Sequence, residues 1–288
     1  MRGEWVEFGD ERIYVRRWGP DDGRPVLFLH SLGPAASGAL LGPGIGPLAE
    51  AGYAIAAPDH PGFGQSPPID PDAYAVPRLA DRAWETADAL GWRELVLSGH
   101  SWGGSIAVHA AAARPDRVQA LVLVDSGHLD YADQPGVGID KSVEILSAEA
   151  EAARRRAPDR ASIAKDLELD VDDAVVTAFL AGMMDDGEGG LISRTKGTSR
   201  GPAMYHLMRA RQSDQRQAIA DARIPTLLLL ATKPDEIRAQ NETAAARFSE
   251  AVPQANIQFI DATHSLVTDL RDEFGKTVAD WLEAARPS

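Results

Sequence analysis

The sequence predicts an α/β protein with a doubly wound, mostly parallel sheet and an inserted helical lid. Short apolar runs recur in the first and last parts of the chain without the alternation of a half-exposed strand, and such runs are typical of strands covered on both faces. Helical stretches separate these runs, and an alternation of strand and helix predicts a doubly wound sheet. The alternation stops after Val124 and resumes at Thr226, which predicts an insertion into a single α/β domain.

Each predicted element follows from its local pattern. The first two strands form a hairpin, at residues 5–8 and 12–18, with Gly9 and Asp10 as its turn. The buried strands follow at 25–29, 53–57, 94–97, 118–124, 226–230 and 257–260. Core helices are predicted at 37–51, 74–90, 101–113, 238–251 and 266–285. Between the two parts of the core only helices are predicted, at 141–156, 158–169, 172–184 and 202–220. We therefore assign residues 1–130 and 223–288 to an α/β core and residues 131–222 to a helical lid.

Composition excludes several classes of function. The chain of 288 residues carries a formal charge of −14, so we expect neither a nucleic-acid partner nor docking on an anionic membrane. It has no cysteine, which excludes disulfides, thiolate metal sites and a cysteine nucleophile. No signal-peptide pattern and no membrane-length apolar run is visible, so we expect a cytoplasmic protein. The sequence does not indicate the oligomeric state.

The strongest chemical signal is the pentapeptide Gly-His-Ser-Trp-Gly at 99–103. It follows a predicted strand and opens a predicted helix, which is the setting in which G-x-S-x-G forms a nucleophile elbow. The turn is so tight that side chains two residues from the serine must be absent, and glycine stands at both places. Ser101 is therefore the candidate nucleophile, exposed where a helix N-terminus favours developing negative charge.

A second loop at the same sheet edge can complete an oxyanion hole. His30-Ser31-Leu32-Gly33 follows the strand predicted at 25–29. We expect the backbone amides of Leu32 and Trp102 to be the donors, because the loop after this strand and the residue after the nucleophile supply them in such sites. The side chain of His30 is predicted to be a buried structural histidine.

His264 is the candidate general base. It lies in the turn after the last strand and before the last helix, from which an imidazole can reach Ser101. The other histidines fit the role less well because they flank the nucleophile or lie in turns, helices or the lid: His60, His100, His109, His128 and His206.

Two aspartates qualify as the acid that orients His264. Asp235 follows the strand predicted at 226–230, and Asp125 follows the strand that precedes the lid. Either satisfies the chain order of nucleophile, acid and histidine, and either could accept the Nδ1 proton of the imidazole. The residues leave the choice open.

Together these motifs resemble the α/β-hydrolase superfamily, in its lidded esterase and lactonase branch. The segment Asp59-His60-Pro61-Gly62-Phe63-Gly64-Gln65-Ser66 is similar to a structural turn of that family. Most members place the acid in a G-x-x-D turn after the penultimate strand; here Ala231 replaces the glycine and Asp235 falls one residue late. Some lactone and haloalkane hydrolases take it from the strand before the lid, so our preference is Asp125.

The resemblance implies acyl transfer to water without a cofactor or metal. The expected substrate is a small to medium, mainly apolar ester or lactone, and a cationic one is compatible with the acidic chain. One alternative is an aminopeptidase of the proline iminopeptidase kind, in which the lid carboxylates Asp185 or Glu188 would bind a free amine. Another is a ligand receptor that kept the same residues. Epoxide hydrolase and dehalogenase chemistry are disfavoured because both need aspartate where Ser101 stands.

Overall fold

A computed structural model describes residues 1–9, 11–134 and 138–285 of the chain. Asp10, one of the two residues assigned to the first hairpin turn, lies outside the described residues. Its neighbour Gly9 has a φ of +58°, a conformation that glycine adopts without steric cost. The two strands that flank the turn pair in antiparallel register, with Phe8 opposite Glu11.

The described residues contain eleven strands: β1 (Arg2–Phe8), β2 (Glu11–Trp18), β3 (Arg24–Leu29), β4 (Tyr53–Pro58), β5 (Leu95–His100), β6 (Val118–Val124), β7 (Arg156–Ala157), β8 (Met183–Asp185), β9 (Leu191–Ser193), β10 (Thr226–Ala231) and β11 (Ala255–Ile260). Eight of them form one sheet in the order β1-β2-β4-β3-β5-β6-β10-β11. The β1–β2 and β2–β4 pairs are antiparallel, and all other pairs in this sheet are parallel. The prediction of a mostly parallel sheet is therefore confirmed.

The α-helices of the described chain are α1 (Gly46–Glu50), α2 (Val76–Ala89), α3 (Trp102–Ala113), α4 (Val143–Ala152), α5 (Arg160–Asp166), α6 (Ala174–Leu180), α7 (Gly197–Arg209), α8 (Arg216–Asp221), α9 (Asp235–Ala251), α10 (Leu266–Leu270) and α11 (Asp272–Ala284). None of them is long and apolar enough to cross a membrane.

Helices cover both faces of the sheet, as a doubly wound fold requires. Along β3, Leu27 and Leu29 belong to one apolar core with α2, α3, α8 and α9, whereas Val26 and Phe28 belong to a second core with α1, α10 and α11. Successive side chains of a strand point to opposite faces, so a strand buried on both must be apolar at every position. This is why these strands have continuous apolar runs in the sequence.

Two predicted core helices are divided in the structure. The helix predicted at 37–51 is a 3₁₀ helix, Gly38–Gly44, followed by the short α1. Pro43 and Pro47 divide this stretch, because proline lacks the N–H that a continuing helix needs. The helix predicted at 266–285 breaks at Arg271, whose φ of +52° is incompatible with a continuous right-handed helix.

Residues 131–222, which lie between β6 and β10, are not composed of helices alone. They contain α4 to α8 and also the antiparallel sheet β7-β9-β8, so the prediction of helices throughout was wrong. The helix predicted at 172–184 ends at Leu180, and residues 183–185 form a strand instead. Strands of two or three residues lie below the length at which a sequence pattern is readable. We call residues 131–222 the inserted segment.

Candidate active site

Ser101 occupies the turn between β5 and α3, at the carboxyl edge of the sheet. Its φ of +54° and ψ of −120° place it in a region that residues other than glycine rarely adopt. Such strain persists only where the surrounding structure enforces it and is concentrated at functional sites. The sharp turn presents the hydroxyl to the cavity described below, immediately before the first N–H groups of α3.

The glycines around Ser101 are required by the close approach of backbones. A Cβ atom on Gly99 would lie 2.2 Å from the carbonyl oxygen of Gly103, and one on Gly103 would lie 2.0 Å from that of Leu29. Both approaches are far shorter than real Cβ contacts. The G-x-S-x-G spacing is thus a steric condition for this turn, as predicted from the sequence.

The loop after β3 is fixed by the buried side chain of His30. Its Nδ1 donates to the carbonyl oxygen of Ser31 at 2.7 Å, and its Nε2 accepts from the amide of His60 at 2.9 Å. Burial, and next to it the neighbouring His60, lower the pKa of His30 well below its ordinary value, so the ring remains neutral in this tautomer. The expected structural role of His30 thus includes holding the loop that carries Leu32.

The backbone amides of Leu32 and Trp102 form no hydrogen bond with other described residues. None of the backbone hydrogen bonds between described residues uses the Leu32 N–H, and Trp102 is the first residue of α3, where helical N–H groups have no partner within the helix. Both residues follow strands that are adjacent in the sheet, β3 and β5. Their role as the donors of an oxyanion hole remains a prediction.

His264 is hydrogen-bonded to Asp125. Its Nδ1 lies 2.6 Å from Oδ2 of Asp125, and the two side chains are 48% and 5% exposed, respectively. A carboxylate oxygen only accepts, so Nδ1 is the protonated nitrogen and Nε2 is left as the acceptor that a general base needs. Burial raises the pKa of Asp125, but hydrogen bonds from His264 and from the amide of Ala231 outweigh it and lower that pKa below its ordinary value.

Asp235 lies elsewhere. It is the first residue of α9 and is exposed, and among the described residues it forms no hydrogen bond with His264. At this position its charge favours the N-terminus of the helix. Of the two candidate acids, the structure therefore places Asp125 and not Asp235 against the imidazole.

A second layer of buried polar groups lies behind Asp125. Asn241 donates from Nδ2 to Oδ1 of Asp125 at 3.1 Å and to the carbonyl oxygen of Ala231 at 2.9 Å. Its own Oδ1 accepts from Nε2 of His128 at 2.9 Å. Burial lowers the pKa of His128, which favours the neutral ring, and Nε2 must carry the proton because the amide oxygen that it faces only accepts. The chain His128–Asn241–Asp125–His264 leaves the acid little freedom to rotate.

His100 also contacts the candidate base. Its Nε2 lies 2.6 Å from the carbonyl oxygen of His264 and must donate, because a carbonyl only accepts. Burial, and after it the charge of His264, lower the pKa of His100 to about 4. A neutral His100 therefore fixes the backbone of the loop that carries His264.

Ser101, His264 and Asp125 line one cavity of about 530 Å³. The inserted segment contributes Tyr131, Arg200, Met204 and Leu207 to the same lining. Tyr131 lines this cavity together with Ser101, and its pKa is raised mainly by burial. Among the described residues no hydrogen bond joins Ser101 Oγ to the His264 ring, as is common in unliganded sites.

Sequence reasoning missed several of these residues. His128 and His100 do not fit the role of general base, yet His128 donates to Asn241 and His100 donates to the carbonyl oxygen of His264. Asn241 and Arg200 belong to none of the sequence motifs. Only their contacts in the folded structure distinguish these residues from other polar residues. Asp185 and Glu188, the candidate amine-binding carboxylates, are exposed and do not line the cavity.

The chain belongs to the α/β-hydrolase-fold family, whose model matches residues 24–269. Solved structures agree in fold. The thioesterase domain from the curacin biosynthetic pathway has a TM-score of 0.76 at 20% identity, over 98% of this chain and 99% of that one. E-2-(acetamidomethylene)succinate hydrolase has a TM-score of 0.75 at 19% identity, with the same coverage of both chains.

Curated relatives match over a shorter region. Lipase LipV of Mycobacterium tuberculosis is 37% identical over 135 residues, which is 45% of this chain and 44% of the lipase. The chain spans less than half the length of the curated relatives it matches. These similarities define the family, whereas the substrate must be argued from the site.

Proposed function

We propose that this protein is a serine hydrolase that cleaves a small to medium ester or lactone through an acyl-enzyme intermediate. The observation that carries the proposal is the 2.6 Å hydrogen bond between His264 Nδ1 and Asp125 Oδ2, in the same cavity as the strained Ser101. A carboxylate-oriented imidazole beside a serine on a strained turn is the arrangement that activates a hydroxyl as a nucleophile.

In the first half of the reaction, Ser101 Oγ attacks the carbonyl carbon and its proton passes to Nε2 of His264. Asp125 keeps the imidazole in the required tautomer and stabilises the imidazolium that forms. The negative charge moves to the carbonyl oxygen, which the amides of Leu32 and Trp102 would bind; one such donor typically contributes about 3 kcal/mol to the transition state. The carbon–oxygen bond to the leaving alcohol then breaks, and that oxygen takes the proton from His264.

In the second half, water replaces the alcohol. His264 accepts a proton from the water as its oxygen attacks the acyl carbon, and the bond to Ser101 Oγ breaks as the proton returns to the serine. The acid is released and the enzyme is restored. Asp125 remains ionised throughout, consistent with its lowered pKa.

The inserted segment would act as a lid over this site. It supplies Tyr131, Met204 and Leu207 to the cavity, two of them apolar, which suits the body of a mainly apolar ester. A segment that lines the substrate cavity can exclude water when it closes over the site.

The test is to measure ester hydrolysis and covalent labelling, with Ser101→Ala as the inactive reference. We expect the protein to hydrolyse short-chain 4-nitrophenyl esters with steady turnover and to be labelled covalently by a fluorophosphonate. Ser101→Ala should lose labelling entirely and lower kcat by about 10⁶-fold, the loss seen when a triad serine is removed.

The matched control is Ser31→Ala, which removes a hydroxyl from the same cavity without touching the proposed nucleophile. Labelling that survives Ser101→Ala would refute the assignment. A single cycle of acylation without further turnover would instead favour a ligand receptor of this fold.

A further inference from the structure

The cavity contains a cationic side chain that the proposed chemistry does not use. Arg200 lies in the first turn of α7 and lines the cavity together with Ser101 and His264. It is half-buried, and burial alone lowers the pKa of its guanidinium, which still remains charged at any physiological pH.

The helix that carries Arg200, α7, packs closely against α4. A Cβ atom on Gly197 would lie 2.2 Å from the carbonyl oxygen of Ser147, and one on Gly201 would lie 2.5 Å from the Cα atom of Ser147. α7 therefore packs directly on the backbone of α4. The amide of Gly197 also donates to Glu151 at 2.7 Å, which ties the helix start to the same neighbour. These contacts fix the position of the helix, and with it the backbone of Arg200, without a ligand.

Only one edge of the guanidinium is occupied. Nε donates to the carbonyl oxygen of Leu32 at 3.1 Å, so the side chain is fixed beside the predicted oxyanion loop. Among the described residues Arg200 forms no ion pair, whereas the exposed lid arginine Arg211 pairs with Asp133. The two terminal nitrogens of Arg200 thus present a planar pair of donors with no protein carboxylate against them.

Among the described residues that line the cavity, no carboxylate is free to pair with Arg200. Asp125 is the one carboxylate among these described residues, and its oxygens are engaged by His264, Ala231 and Asn241. A partly desolvated guanidinium is costly to leave without a partner, and its forked donors fit a carboxylate in two parallel hydrogen bonds. A group that enters with the substrate can supply that partner.

We infer that Arg200 is a specificity residue that binds a free carboxylate on the substrate, separate from the carbonyl that Ser101 attacks. The inference rests on the proposed function and narrows its substrate class to esters or lactones of acids that bear a second, ionised carboxyl group. The net charge of −14 is compatible with a cationic substrate, whereas the inference calls for an anionic one. The local charge of Arg200 in the cavity, and not the net charge of the chain, would set this preference. Cationic substrates are correspondingly disfavoured.

The test compares matched esters. The 4-nitrophenyl monoesters of succinate, glutarate and adipate each carry a free carboxylate, and their methyl esters carry the same chain without the charge. For at least one chain length, kcat/KM should be higher for the free acid by about 10- to 100-fold, as expected for a hydrogen bond to a charged group. The gain should be expressed mainly in KM.

Arg200→Gln should abolish this ratio, and Arg200→Lys should retain only part of it, because an ammonium lacks the planar fork. The control Arg78→Gln removes the same charge from a side chain that is 72% exposed and does not line the cavity, and it should leave the ratio as in the wild type. Taking a ratio within each variant cancels any general loss of folded enzyme.

A binding measurement keeps the two proposals separate. The glutarate monomethyl ester should bind Ser101→Ala at least tenfold more tightly than it binds the Ser101→Ala, Arg200→Gln double variant, by calorimetry. Equal affinities, or a substrate ratio that Arg200→Gln leaves unchanged, would overturn the anion site while the hydrolase stands. Turnover that persists in Ser101→Ala would overturn the hydrolase while the binding result still decides the role of Arg200.

Discussion

The eight-stranded core and the inserted segment differ in the burial and in the length of their secondary-structure elements. In the core, strands such as β6 and β10 are buried at nearly every position, and the residues proposed for catalysis stand on the strand ends or in the loops that follow. The inserted segment has short helices and strands of two or three residues. Its residues Ile163, Val176 and Met183 belong to a small apolar cluster that also includes Ala35 of the core. Yet this segment supplies Tyr131 and Arg200 to the cavity.

This difference suggests a division of labour. A rigid sheet holds reacting groups within the narrow tolerances that proton transfer needs, whereas a smaller, less deeply buried unit can vary and move without disturbing them. The core would then determine which reaction occurs, and the inserted segment would determine on which molecule. Substitutions in the two regions should separate these effects.

The largest expected effect belongs to the core. Asp125→Asn preserves volume but favours the wrong tautomer of His264, and we expect kcat to fall by about 10⁴-fold, as in the best-studied serine triad. Asp235→Asn is the matched control, since Asp235 is exposed and makes no bond to the imidazole; kcat should stay within about twofold. Steady-state kinetics on folded variants measures both, and the assignment fails if Asp235→Asn is the inactive variant.

The second effect is a contrast in local stability. Backbone amides of β8 and β9 should exchange with deuterium at least on the order of 100-fold faster than those of β6, because short surface strands open locally while a central strand opens only with the whole core. Peptides from residues 183–193 and from 118–124 provide the comparison by mass spectrometry. Equal protection in the two regions would remove the basis for a lid.

The third effect separates rate from preference. Asn241→Ala removes a hydrogen bond to the ionised Asp125, and we expect kcat to fall by about 10- to 100-fold for every substrate alike. Met204→Ala, in the inserted segment, should instead change the ratio of kcat/KM between short and long acyl chains by several-fold. If Asn241→Ala shifted substrate ratios and Met204→Ala did not, the division of labour would be wrong.

The smallest effect concerns stability toward acid. Burial lowers the pKa of His60, beside Trp102, to about 3, while an unfolded histidine titrates near 6.5. Between these values the unfolded state binds the extra proton, so the free energy of unfolding should fall as pH drops from about 6.5 toward 3. One group contributes at most about 1.4 kcal/mol per pH unit.

Urea unfolding at pH 7, 6 and 5 measures this slope. His60→Phe keeps an aromatic ring in a cluster with Phe63 and Trp102 but cannot be protonated, so its unfolding free energy should depend less on pH than that of the wild type. An identical slope in both proteins would show that another group is responsible.

The sequence by itself determined the sheet and the strained turn that carries Ser101. Apolar runs gave the buried strands because burial on both faces leaves no polar position in a strand. Ser101 could be predicted because its turn is a local steric problem, solved within residues 99–103 by glycines that later proved to contact backbone atoms directly. Leu32 and Trp102 follow from the same local logic. The small sheet of the inserted segment was missed because its strands are too short to carry a periodicity.

Only the tertiary structure decided which groups meet. Asp125 and His264 are 139 residues apart, and they come together because β6, β10 and β11 are neighbours in the sheet. Asp235 looked equally suitable in the sequence but begins α9 instead. The sequence likewise contains 29 lysines and arginines, and nothing local distinguishes Arg200 among them. Arg200 differs from the other cationic residues because it lines a cavity in which no described carboxylate is free to pair with it. Electrostatic complementarity of this kind depends on which side chains the fold brings together, so no local stretch of sequence can show it.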